Sequence, residues 1–227
     1  MKESMMQTFA TATPVSAVLD IPAGRVQITA ADRADATVDV RPADPSKSRD
    51  VQAAELIEVA FADGVLRVVA APAKNRITGN SGFVDVTVQL PAGSHVEAKV
   101  AAAELQGAGR LGDVVVEAAQ SRVQLEETAS ARVTVQSGDI SLGRLGGPAE
   151  LSTQKGEIAI AEATGGVLTL TTQHGNITVG AARGVTASLD AGTGYGRISN
   201  SLQNAEGTAA LTIRATTAYG DITARSN

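Results

Sequence analysis

Apolar and polar residues alternate with a period of two in short runs along most of the chain, which is the pattern of β-strands with one buried face. In the first part, residues 15–19, 25–30, 37–41, 58–61, 66–70 and 84–90 read as such strands. The second part is more regular. Arg132-Val133-Thr134-Val135 leads up to a glycine and Ile140-Ser141-Leu142 follows it, while Ile158-Ala159-Ile160 and Ile177-Thr178-Val179 hold the same place after later glycines. Two stretches break the alternation: residues 42–50, followed by a short helix expected near 51–56, and the polar loop 72–82.

The regularity has a period. Gly138-Asp139-Ile140, Gly156-Glu157-Ile158, Gly175-Asn176-Ile177, Gly196-Arg197-Ile198 and Gly220-Asp221-Ile222 repeat one motif, with glycines 18, 19, 21 and 24 residues apart. A degenerate copy, Ser121-Arg122-Val123, sits 17 residues before the first. Units this short, each holding strand, bend and strand, bury their inward side chains only by stacking as parallel strands about 4.8 Å apart. The pattern therefore predicts an all-β fold, a parallel β-helix or solenoid with an irregular N-terminal β portion. One domain is expected over 1–227, irregular over 1–95 and regularly coiled over 96–227. Its interior is expected to be a ladder of Val123, Ile140, Ile158, Ile177, Ile198 and Ile222, in chain order, backed by Val133, Leu151 and Leu170. Glycine suits the bend, where positive φ excludes a side chain, so Ser121 should bend its coil differently. Ile21-Pro22-Ala23-Gly24 and Leu90-Pro91-Ala92-Gly93 suggest a second internal duplication.

Composition agrees with a thin aliphatic core: 43% of residues are hydrophobic, while Phe9, Phe61, Phe83, Tyr195 and Tyr219 are the only aromatic ones. The absence of cysteine removes disulfides, thiolate chemistry and Cys-ligated metals. A net charge of −5 with scattered basic residues argues against nucleic acid. No apolar run reaches the roughly 18 residues of a membrane span, and the opening segment has no apolar leader core, so the chain as written is expected in the cytoplasm.

Stacking would turn motif positions into surface columns. The column before the glycine groups Lys155, His174, Tyr195 and Tyr219. It reads either as a stripe that binds sugars or anions, or as a solvated corner. Lys74 and Arg76, in the polar loop, are further anion-binding candidates. The column after the glycine places Asp139 beside Glu157, where like charges repel unless a cation or Lys155 relieves them. The Asp-rich loops of calcium sites are absent, and so are the motifs of zinc hydrolases, serine hydrolases and P-loops, so no catalytic residue, metal site or cofactor is expected. Gly107-Ala108-Gly109-Arg110-Leu111-Gly112 spells a dinucleotide fingerprint but opens no helix, which makes it a turn.

The Gly-Asp-Ile coils, the Ile21–Gly24 turn, the 74–82 loop and the closing Thr217-Ala218-Tyr219-Gly220-Asp221-Ile222-Thr223 resemble the bacterial adhesin-like β-helix family, a domain of unknown function numbered 4097. The Ala-rich, Arg-over-Lys usage looks actinobacterial. The resemblance implies a β-solenoid without catalytic residues and an interaction role tied to the envelope or to stress signalling. Two function classes follow. The first is a non-enzymatic scaffold that binds a protein partner or a second copy of itself through its faces or an uncovered end. The second is a carbohydrate-binding module or polysaccharide-active enzyme, for which Asp139 and Glu157 are the one carboxylate pair on offer.

Overall fold

The computed structural model describes residues 6–71, 82–203 and 208–227. Its strands in the first part are β1 (Gln7–Ala10), β2 (Ser16–Ala31), β3 (Asp35–Pro42), β4 (Ile57–Ala62), β5 (Val65–Ala70) and β6 (Val84–Pro91), with one helix, α1 (Ser48–Glu55). Then come β7 (His95–Gln120), β8 (Val123–Ser137), β9 (Ile140–Leu145), β10 (Ala149–Lys155), β11 (Ile158–Ala163) and β12 (Gly166–His174). The last are β13 (Ile177–Ala181), β14 (Ala187–Tyr195), β15 (Ile198–Ser201), β16 (Leu211–Tyr219) and β17 (Ile222–Ser226).

Each motif glycine is a corner. The strand before it lies in one parallel row and the strand after it in another, and the aliphatic side chains of both rows point between them. In one row, Val133, Leu151, Leu170 and Ala215 lie in register and are buried. In the other the ladder runs Val86, Val26, Leu105, Val123, Ile140, Ile158, Ile177 and Ile222, each at most 1% exposed. Aliphatic side chains of similar size placed directly above one another fill the space between the rows without aromatic residues.

The ladder departs from chain order at one place. The coil formed by β16 and β17 sits between the coil of β12 and β13 and the coil of β14 and β15, so Ile177 neighbours Ile222, and Ile222 neighbours Ile198. Ile198, expected in the interior, is 43% exposed on the outermost coil. The inward positions explain the inversion. Where other coils carry Val179 or Ala224, residues 187–201 carry Asn200, whose amide would be costly to bury without partners. Leu211, Ile213, Ala215, Ile222 and Ala224 supply an apolar lining and are all buried. The better-lined coil takes the inner place.

At the opposite end antiparallel strands finish the stack. β3 pairs with β6 and β1, and β4 pairs with β5. Phe9 of β1 and Phe61 of β4 stack at 5.2 Å, closing the gap between the two rows. Helix α1 begins three residues before the expected segment. Its buried Asp50 accepts a hydrogen bond from the Phe83 N–H at 3.0 Å, tying the helix to the start of β6.

Two motifs read from sequence take a different form. Gly24 has φ 137° and Gly93 has φ 80°, so the two Pro-Ala-Gly segments are not copies of one turn. Gly24 is instead a corner, two residues before the ladder rung Val26, as Gly138 is before Ile140. Gly107–Gly112 lies inside β7 and opens no helix. Among the described residues Asp63, in the turn between β4 and β5, is the one non-glycine with positive φ, so at the degenerate corner Ser121 turns its coil in another conformation, as its side chain requires.

Candidate functional site

The corner geometry creates the surface columns. Gly138, Gly156, Gly175, Gly196 and Gly220 have φ between 141° and 157°, a region that penalises any side chain. A Cβ on Gly156 would overlap the Gly138 carbonyl oxygen, one on Gly175 that of Gly156, and one on Gly220 that of Gly175. Corners therefore lie directly over corners, and the residues flanking each glycine fall into two straight lines.

The line before the glycines runs Lys155, His174, Tyr219, Tyr195, following the spatial order of the coils. The rings of His174 and Tyr219 are 5.0 Å apart and 10° from parallel, and those of Tyr219 and Tyr195 are 5.0 Å apart and 4° from parallel. The ring spacing matches the strand spacing, so the backbone register imposes the stack. Tyr219 is 51% exposed and Tyr195 71%, and the far face of the Tyr195 ring is open because no described coil lies beyond it. Four of the sequence candidates are thus brought together. Lys74 and Arg76 lie outside the described residues. His95 stands apart at the start of β7, 3.3 Å from Asp113.

The line after the glycines is a hydrogen-bonded chain. The Asp139 carboxylate accepts the Glu157 N–H at 3.0 Å and faces Arg122 at 3.7 Å. The Asn176 amide donates to Glu157 at 3.1 Å, and its oxygen accepts the Asp221 N–H at 2.9 Å. Asp221 in turn accepts the Arg197 N–H at 2.8 Å. The Asp139 and Glu157 pair is therefore joined by a backbone donor and relieved by Arg122 and Asn176. These carboxylates hold one coil to the next, as a capping side chain does. Among the described residues, no three His, Asp or Glu side chains gather as ligands for a cation.

A third line was not read from the sequence. Thr153, Thr172, Thr217 and Thr193, three residues before their glycines, donate to the carbonyls of Gly138, Gly156, Gly175 and Gly220 at 3.0–3.1 Å. Thr153, Thr172 and Thr217 are buried, and these bonds satisfy their hydroxyls. The signal was present as the fixed spacing Thr-x-x-Gly, hidden because threonine also suits any strand.

Stacked corners bearing continuous side-chain lines define a β-solenoid that offers straight, rigid surface columns. The chain belongs to the Toastrack DUF4097 family, whose pattern matches residues 18–227. Among solved structures it is similar to a "putative adhesin" of Bacteroides fragilis, at 15% identity and a TM-score of 0.62 over 99% of this chain and 98% of that one. It is also similar to a "putative lipid binding protein" of Parabacteroides distasonis, at 11% identity and a TM-score of 0.50 over 98% of this chain and 97% of that one. Identities this low establish a common fold alone. No protein of curated function matches the chain.

Proposed function

We propose that the chain is a non-enzymatic interaction module that presents the corner line Lys155, His174, Tyr219 and Tyr195 to a partner, in the envelope or stress-signalling setting that the family resemblance implies. The observation that carries this reading is the three-ring stack, held at 5.0 Å steps on a corner whose backbone leaves little freedom. Rigid aromatic groups lose little conformational entropy on binding, and they lead the residues that anchor interfaces. The acidic pair that an enzyme reading requires is engaged in coil-to-coil bonds.

The open face of Tyr195 supports a second reading, in which the apolar face of a sugar ring stacks upon it. A glycan array probed with the chain and with Tyr195→Ala separates the two readings. Sugar binding that disappears in the variant supports the carbohydrate module, and its absence in both leaves the protein-partner reading. Turnover of a polysaccharide panel, with or without calcium, abolished by Asp139→Ala together with Glu157→Ala, would overturn the non-enzymatic reading.

A further inference from the structure

We propose that the corner of the outermost coil, residues 195–198, is a docking edge for an extended segment of another polypeptide, one carrying an aromatic residue, a glycine, an acidic residue and an aliphatic residue in succession. This deepens the reading of the chain as a binding scaffold by naming the chemistry of its partner.

Each inner coil lends its backbone donors to the coil outside it. The N–H groups of Gly138, Gly156, Gly175 and Gly220 donate to the carbonyls of Lys155, His174, Tyr219 and Tyr195 at 2.8–2.9 Å. The N–H groups of Val123, Ile140, Ile158, Ile177 and Ile222 donate across the next corner to Asp139, Glu157, Asn176, Asp221 and Arg197, each at 2.9 Å. Both sets point towards the same end of the stack. In the outermost coil the corresponding groups belong to Gly196 and Ile198, and among the described residues the strand pairing around this corner is on one side only, Tyr195 with Tyr219 and Ile198 with Ile222. Such an edge is a template for one more parallel strand.

The side chains at this corner state what that strand should carry. The exposed face of Tyr195 takes an aromatic ring, as Tyr219 takes Tyr195 on its outer face and His174 on its inner one. Gly196 suits a glycine above it, because each of the five motif glycines packs against the backbone carbonyl of the corner beneath. Arg197 ends the polar line with a cation. Elsewhere an arginine in that line, Arg122, faces the acidic Asp139 of the next coil outward at 3.7 Å. Ile198, 43% exposed, offers the last aliphatic rung. The succession is the one this chain shows as Tyr219-Gly220-Asp221-Ile222, so a peptide of residues 211–226 is a direct probe.

The test titrates a fluorescent peptide of that sequence with the full chain. Saturable binding is expected. Ile198→Pro removes one outward N–H at an edge position where proline is tolerated, and should weaken binding at least tenfold. Arg197→Asp should weaken it similarly, and a peptide carrying Asp221→Arg should restore affinity to that variant but not to the parent chain. Unchanged circular dichroism confirms that the variants fold. Three results would overturn the inference: no saturable binding, binding indifferent to both variants, or a dimer of the chain alone that Ile198→Pro dissociates, which would assign the edge to a second copy. A chain that refuses the peptide but binds glycans through Tyr195 would overturn this inference while leaving the binding scaffold intact.

Discussion

At the residue scale, the corners separate two uses of glycine. Gly175 combines φ 149° with a backbone carbonyl where a Cβ would stand, whereas Gly184, at φ 77°, has nothing within 4 Å of that position. Gly175→Ala should therefore incur both strain and overlap, each about 1–3 kcal/mol. Gly184→Ala should cost only the roughly 1–2 kcal/mol of a left-handed alanine. Thermal or urea unfolding of the pair checks the difference, and equal losses would contradict the stacked-corner geometry. Thr172→Val keeps shape and removes the donor to the Gly156 carbonyl, so a loss of about 1 kcal/mol is expected by the same measurement. Away from the corners, the hydrogen bond from Arg33 to Asp35 at 2.7 Å holds that carboxyl below the usual carboxylate range. A depressed pKa means the contribution to stability is complete above the ordinary carboxylate value and is lost as pH falls through the folded one. Carbon-detected NMR titration should show the midpoint of Asp35 rising towards the ordinary value in Arg33→Ala.

At the scale of the element, identical motifs have unequal worth because their coils occupy different places. Ile158→Ala and Ile222→Ala each open a cavity between two neighbouring rungs, and about 2–5 kcal/mol is expected for each. Among the described residues Ile198 has a rung on one side only, and it is 43% exposed, so Ile198→Ala should cost below about 1 kcal/mol. Chain order would have made Ile198 the inner rung and Ile222 the outer one, so the ranking of these two variants tests the inverted coil order directly. Much of this was legible in the sequence. The period, the glycine corners, the aliphatic ladder and the grouping of Lys155 with three rings all follow from one repeated motif. The inversion was not, because periodicity says which residues are equivalent and is silent on which coil lies outermost. Asn200, at a position where other coils carry Val179 or Ala224, was the available clue. The corner at Gly24 was also unread: the neighbouring coil makes the same turn at Ala103 without a glycine, so Gly24-Arg25-Val26 stands isolated from the periodic run.

For the whole molecule, the consequence is a gradient of stability along the stack. One end is finished by antiparallel strands and the Phe9–Phe61 contact, and the other by a coil whose strands, among the described residues, pair with β16 and β17 alone. In a stack where each coil touches only its neighbours, local opening starts most easily at an end that lacks a cap. Hydrogen exchange should therefore be fast in β14 and β15, slower in β16 and β17, and slowest around Ile140 and Ile158, although β16 and β17 stand nearer the C-terminus than β14 and β15. Fraying set by sequence position would instead make the final residues exchange first. The same experiment bears on the docking edge: bound peptide 211–226 should slow exchange in β14 and β15 most, because it supplies their missing neighbour, and should leave the Phe9–Phe61 end unchanged. Protection spread evenly over the stack would mean that the peptide stabilises the chain without adding a strand to its open edge.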